Sequence, residues 1–304
     1  TEMAFYRMQA AGVELLKPLI IWLHAPERRI PTPVIDEVIG MTESWVTRRQ
    51  FLRLSGSDLG RIVAEIIRMN GDTPAAEVSE RIRNHLMRLN VTSTYWPGDA
   101  EVRRALASEP VYRRYPRGRL RMYLEAVENL YRAETRQAQV TRSTLPIEHI
   151  LPQQWSEHWP VSTPEEQAAR QEHVHRLGNL TLLTGPLNSK VSNGPWPQKR
   201  AALLQHNTIS LTGRVVAETE NATWDEQLID ARTTTLIDAL LRVWPVPNGH
   251  EGVVVDPQAK APDWVELRHL IEADLIRPGD KLVATHRDFK GREAVVTEDG
   301  AILL

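Results

Sequence analysis

Through the first 140 positions, apolar residues recur at helical spacing. Val13, Leu15, Leu16, Leu19, Ile20 and Leu23 form one stripe, and Leu59, Ile62, Val63, Ile66 and Ile67 form another. Residues 79–89 predict a further helix. Leu120, Tyr123, Leu124, Val127 and Leu130 put one apolar face on a helix over 120–131. Breaks are expected across 26–33, at Asn70-Gly71-Asp72 and at Trp96-Pro97-Gly98-Asp99, where proline and glycine interrupt the periodicity. The pattern predicts a helical scaffold over 1–140, with no internal repeat and no low-complexity tract.

From Leu145 the texture changes. Residues 147–151 are short, apolar and stopped by Pro152, which suits a buried strand. A polar insertion over 153–175 carries Trp155 and Trp159, and its Thr163-Pro164-Glu165-Glu166 reads as an acidic helix start. Residues 180–183 read as the partner strand. Gly185-Pro186 then turns the chain into a short helix holding Asn188. Residues 197–204 and 224–244 predict two more helices.

Pro245-Val246-Pro247-Asn248-Gly249 reads as a linker to a small module. That module should hold a helix over 264–275, a Pro278-Gly279-Asp280 turn, strands over 281–285 and 293–297, and a turn near Lys290-Gly291. The fold class expected is α+β, mainly helical, in three parts: a scaffold over 1–140, a two-strand core with its closing helix over 141–245, and an α+β module over 252–304.

Composition narrows the chemistry. With 41% hydrophobic and 25% charged residues, a chain of 304 residues reads as globular, and soluble. It has no cysteine, so disulfides and thiolate zinc sites are excluded. The longest apolar stretch, 15–23, is interrupted by Lys17-Pro18 and is too short to span a bilayer, so no membrane partner is expected. The opening Thr1 and the lack of a signal peptide suggest a processed or excised piece of a longer protein. Formal charge is −2, yet basic residues concentrate in the first half, and the arginines from Arg113 to Arg121, Arg113, Arg114 and Arg117 among them, make the best local basic patch.

The chemistry gathers at Ile147-Glu148-His149-Ile150-Leu151-Pro152, Leu177-Gly178-Asn179-Leu180-Thr181-Leu182-Leu183 and Asn188-Ser189-Lys190. Phosphodiester cleavage needs an activated water and stabilisation of charge on phosphate and leaving oxygen. A neutral His can take a proton from water near pH 7. Glu148 offers a hard anionic ligand and Asn188 an amide oxygen, a set that suits one Mg²⁺ or Mn²⁺ ion. One difficulty is geometric: neighbours on a regular strand point to opposite faces, so Glu148 and His149 need the strand to be ending.

The order acid-His-apolar-x-Pro, then Asn on a return strand, then Asn on a helix resembles the HNH (ββα-metal) nucleases. The nine-residue step from Asn179 to Asn188 is similar to that in the HNH domain of CRISPR effector nucleases. Ile147 to Gln153, Leu177 to Leu183, and Asn188 followed by Pro195-Trp196-Pro197-Gln198-Lys199-Arg200 resemble more closely the C-terminal nuclease domain of GmrSD-type modification-dependent restriction enzymes. Trp45-Val46-Thr47-Arg48-Arg49, and Trp96-Pro97-Gly98-Asp99 with Tyr112, are similar to that family's helical lead-in, which extends the resemblance over about 1–245.

The resemblance implies His149 as general base, Glu148 and Asn188 as ligands of one metal ion, and Asn179 as a catalytic-site residue that braces the loop orienting His149. Lys190, Lys199, Arg200, Arg113, Arg114 and Arg117 become candidates for holding DNA. His158, His173 and His175, inside the long insertion, receive no role. Residues 267–271, 276–280 and 294–300 resemble the RAMA modules of restriction and methylation proteins.

The implied function is a metal-dependent DNA endonuclease, nicking or cutting duplex and possibly modified DNA as the effector of a bacterial, cytoplasmic defence system. Such enzymes, and their phosphorothioate-sensing relatives, carry an N-terminal nucleotide-hydrolysing sensor domain. No G-x-x-x-x-G-K-[ST] phosphate loop occurs here, so that partner domain would lie elsewhere in a full-length protein. The competing expectation is a catalytically inactive DNA-binding or assembly module that recognises modified DNA.

Overall fold

The computed structural model describes residues 1–142, 144–191, 193–219, 223–252, 254, 270–271, 276–283, 293–297 and 302–303. They fall into two units, Thr1–Val254 and Val255–Leu304.

The first unit opens with α1 (Glu2–Ala11), α2 (Lys17–Leu23), α3 (Thr32–Phe51), α4 (Leu59–Met69), α5 (Val78–Met87), α6 (Asp99–Leu106), α7 (Val111–Arg114) and α8 (Arg117–Glu134). The apolar stripe from Val13 to Leu23 is only partly helical. Gly12 closes α1 in the left-handed conformation at φ 68°, and α2 restarts at Lys17, with proline tolerated in its first turn. The expected break over 26–33 contains the start of α3, because Pro33 sits in its first turn, where a missing N–H costs nothing.

From Met41 to Phe51 every residue of α3 is buried, charged ones included. Arg48 Nε donates to the Trp244 carbonyl at 2.6 Å and Nη1 pairs with Asp99 at 2.8 Å. Arg49 donates to the carbonyls of Tyr95, Ser93 and Ser55 at 2.8–2.9 Å. A buried guanidinium is tolerated because it is bonded in this way, and here it fastens the 92–97 loop to α3.

Next come β1 (Ile147–His149), α9 (Pro164–His173), β2 (Leu180–Leu182), α10 (Gly185–Val191), α11 (Trp196–His206), α12 (Ser210–Glu218) and α13 (Glu226–Val243). β1 and β2 pair antiparallel, Ile147 opposite Leu182, Glu148 opposite Thr181 and His149 opposite Leu180. β1 is shorter than the expected 147–151, since the N–H groups of Ile150 and Leu151 both turn to Asn179, one to its carbonyl and one to its side chain. The acidic helix start is a complete capping box of Thr163 and Glu166. α13 begins at Glu226, two residues after the expected Trp224, because Asp225 caps it by accepting from the Leu228 N–H at 2.9 Å.

One apolar cluster draws on both halves of this unit: Leu120, Tyr123 and Val127 of α8 pack with Leu180 and Leu182 of β2, Leu211 of α12 and Leu236 and Leu240 of α13. The buried Glu128 of α8 accepts from the N–H groups of Ser210 and Leu211, placing a carboxylate at the N-terminus of α12. The Pro/Gly-rich stretch expected to be a linker is packed instead. Ser44 Oγ donates to the Pro245 carbonyl at 2.7 Å, and His250 Nε2 lies 2.8 Å from the Trp96 carbonyl.

In the second unit, β3 (Lys281–Val283), β4 (Glu293–Val296) and β5 (Ile302–Leu303) form an antiparallel sheet in that order. β3 and β4 lie within the two expected strand stretches, and β5 is a third that the pattern did not predict. The expected helix over 264–275 lies outside the described residues apart from Leu270 and Ile271, as do Lys290-Gly291 and Asp299-Gly300. Of the RAMA resemblance, residues 270–271, 276–280 and 294–297 are described and the rest are not.

Candidate active site

Short motifs place the site at the end of β1. Gly178 lies in a single 3-10 turn, Leu177–Asn179, that leads into β2. The turn sits so close to α13 that a Cβ at Gly178 would stand 2.0 Å from the Ile229 carbonyl oxygen. Only glycine permits that approach. Arg232 of α13, itself buried, donates to the carbonyls of Gly178 and Leu180 and so fastens the turn to the same helix.

Asn179 is fully buried and uses both ends of its amide. Its Oδ1 accepts from the Leu151 N–H at 2.8 Å and from the Trp224 indole at 3.0 Å, while its Nδ2 donates to the carbonyls of Leu151 and Val174 at 2.8 Å. It ties the segment after His149 to β2, to the end of the insertion and to the start of the closing helix.

Glu148 and His149 contact different sets of residues, as strand alternation dictates, so the expected turning of both side chains to one side is not seen in these contacts. On one side Lys199 of α11, whose side chain is fully buried, places Nζ 2.6 Å from Glu148 Oε1 and donates to the His149 carbonyl at 2.6 Å. Burial pushes the Glu148 carboxyl up and the Lys199 ammonium down, and each partner's charge opposes the other's shift. Lys199, expected as a candidate for gripping DNA, is therefore the counter-ion of Glu148.

On the other side, the His149 ring is 5% exposed and meets the Tyr112 ring of α7 edge-on at 4.2 Å and the His175 ring at 5.5 Å. Tyr112 stacks on His175 at 5.8 Å and carries the Arg117 guanidinium on its face at 3.4 Å. Burial, then the charges of His175, Lys199 and Arg117, push His149 down to about 3. His175 is pushed down to about 4 by burial and by Arg113 and Arg117. Both imidazoles are neutral at pH 7. His149 Nε2 and His175 Nδ1 are buried without a hydrogen-bond partner, as is Asn188 Oδ1 on α10.

The remaining expected residues fall elsewhere or at the rim. Arg113 and Arg117 are exposed, and their charges act on His175. Arg114 instead reaches Glu109 at 3.8 Å and lines a separate cavity with Arg49 and Arg53. Lys190 is exposed, with Nζ 2.8 Å from His206. Arg200 donates to the Val216 carbonyl at 3.2 Å and serves the packing of α11 on α12. Of the three histidines left without a role, His175 joins His149. His173 bonds to Asp230 and Arg176, and His158 stays exposed beside Glu157.

Tyr112 was noted in the sequence only as part of the lead-in, and its contact with His149 spans 37 positions that no local pattern connects. Among the described residues no group of three or more His, Asp or Glu side chains forms a metal-binding cluster, and no helix is long and apolar enough to cross a membrane. No curated protein matches the chain. Residues 96–239 match the family model of the GmrSD restriction endonucleases, C-terminal domain. The match starts after the expected lead-in at 45–49 and ends before the second unit. The stretch that builds β1, β2, α7, α10 and α11 is therefore similar to the C-terminal domain of GmrSD restriction endonucleases.

Proposed function

We propose that this chain is an HNH-type endonuclease that uses one Mg²⁺ or Mn²⁺ ion to nick or cleave duplex DNA. The family supports a nuclease role in the coarser sense. The observation that carries the finer reading is a neutral, buried His149 whose Nε2 has no partner, on a strand whose preceding residue is a carboxylate. An imidazole in that state is unprotonated across the neutral range, with a ring nitrogen open to a water proton.

The donors present fit a hard cation. Asn188 Oδ1 is a buried amide oxygen with no partner, and Glu148 is a carboxylate that commits Oε1 to Lys199. Glu148 and Asn188 would hold the ion, which when bound stabilises charge on the phosphate and the leaving oxygen. His149 accepts the proton of the attacking water. Lys199 neutralises Glu148 and fixes the His149 backbone. Asn179 keeps the strand end in place, and Arg113 and Arg117 present positive charge to the DNA backbone. The enzyme acts as the cutting part of a bacterial modification-dependent restriction system, with recognition of the modification supplied by a nucleotide-hydrolysing sensor domain.

Plasmid relaxation with Mg²⁺ or Mn²⁺ tests the proposal. His149→Ala and Asn188→Ala should each lower nicking by at least about a hundredfold, the usual worth of a general base. Equal rates in the parent and both variants would overturn it and favour a DNA-binding module without catalysis.

A further inference from the structure

A cavity of about 300 Å³ lies among the α1–α2 connection, the end of α3, the start of α4 and the α7–α8 junction. Val13, Leu15 and Leu59 contribute apolar wall. Arg49, Gln50, Arg53, Arg114 and Arg119 contribute the polar part. The volume sits at the lower end of the roughly 300–1,000 Å³ that small-ligand sites occupy, and apolar walls with a few convergent polar groups are their usual make-up.

The charge here is poorly matched within the protein. Among the described residues, the carboxylate within ion-pair distance of these four arginines is Glu109, at 3.7 Å from Arg53 and 3.8 Å from Arg114, longer than a hydrogen bond in both cases. Arg119 is bonded to the Ala11 carbonyl and Arg49 to backbone carbonyls, so neither is neutralised by an anion. Burial brings Arg49 down to about 10, which leaves it charged at neutral pH.

Two donors at this cavity also lack acceptors. Arg49 Nε and Gln50 Nε2 are buried without a partner, and Tyr123 occupies the other end of the Gln50 amide by donating to Oε1 at 3.2 Å. A buried donor left unpaired destabilises the fold, so an acceptor-rich anion would relieve it as well as the charge. Arg53 holds φ at 56°, a conformation uncommon for a side chain other than glycine, and lines the same cavity.

We propose that this cavity binds a phosphate-bearing nucleotide, the base against the apolar wall and the phosphate against Arg53, Arg114 and Arg119. The ligand is either a free mononucleotide or the 5′-phosphorylated end of a DNA strand. The inference stands on residues apart from His149, so a failed cleavage assay leaves it untouched.

Calorimetric titration of the whole chain tests it, with deoxyadenosine monophosphate, deoxyadenosine, and a short single strand with and without a 5′-phosphate. The monophosphate or the phosphorylated strand should bind at least about tenfold tighter than its unphosphorylated counterpart. Arg53→Ala and Arg114→Ala, both of exposed side chains, should each weaken that binding by about tenfold while melting as the parent does. Monophosphate binding identifies a free nucleotide, and binding of the phosphorylated strand alone identifies a strand end. The proposal is overturned if neither phosphorylated ligand binds, if the phosphate adds nothing, or if both variants bind as the parent does.

Discussion

Asn179 shows how much of the site rests on one neutral side chain. It makes four hydrogen bonds from a fully buried position. Asn179→Ala would leave the Leu151 N–H, the Leu151 and Val174 carbonyls and the Trp224 indole short of partners. Each such loss costs about 1–3 kcal/mol. A loss of about 3 kcal/mol or more in urea unfolding is expected, and a change under 1 kcal/mol would mean that water replaces the amide. Lys199 is a different case, because its removal uncovers a charge. Lys199→Met should cost about 3–5 kcal/mol by leaving Glu148 buried and unpaired, and adding Glu148→Gln should recover most of it. A double variant no more stable than Lys199→Met would show that the pair contributes nothing beyond packing.

The two imidazoles make the fold sensitive to acid. His149 and His175 titrate at about 3 and about 4 when folded, against an ordinary value of 6.5. Between about pH 6.5 and those values the unfolded chain binds more protons than the folded one, so stability is complete above that window and is lost as pH falls through it. The urea midpoint should therefore drop between pH 7.5 and 5, and His175→Gln should flatten the drop. An unchanged slope would contradict a buried neutral His175.

At the level of elements, the site was legible where chemistry travels in short motifs. Glu148, His149, Asn179 and Asn188 all stand on or beside elements that the apolar run stopped at Pro152, its partner stretch at 180–183 and the Gly185-Pro186 turn placed. The ion pair of Glu148 with Lys199 was not legible, because it depends on how α11 packs across β1, 51 positions away. α12 was missed for a local reason: Ser210, Thr212 and Gly213 open it with weak helix formers, and its stability comes from Glu128 at its N-terminus and from burial of Leu211 and Val215. The close fit of the turn on α13 makes a further prediction. Gly178→Ala must push α13 away from the turn, costing about 1–3 kcal/mol in thermal or urea unfolding. Wild-type stability in that variant would show that the contact can relax freely.

Across the whole first unit, scaffold and site share a core. Tyr123 and Val127 pack with Leu180 and Leu236, and Arg48 reaches the Trp244 carbonyl across 196 positions. An excised fragment of residues 141–245 should therefore show no cooperative melt, whereas a sharp transition would indicate an autonomous domain. The formal charge of −2 leaves DNA attraction to local features. Replacing Arg113 and Arg117 together by Ala should weaken duplex binding and lower the slope of log affinity against log salt by about 2. An unaltered slope would remove them from the DNA contact.

The bonds of Asn179 also govern how the molecule reaches its working form. They join Leu151, Val174 and Trp224, at separations of 28, 5 and 45 positions, and the Lys199 bridge adds one of 51. Closing contacts so distant requires the intervening loops to be ordered first, which places them late on the route from the unfolded chain. The centre is then completed by the final cooperative step, and regained cutting activity during refolding should keep pace with the slowest recovery of tryptophan fluorescence.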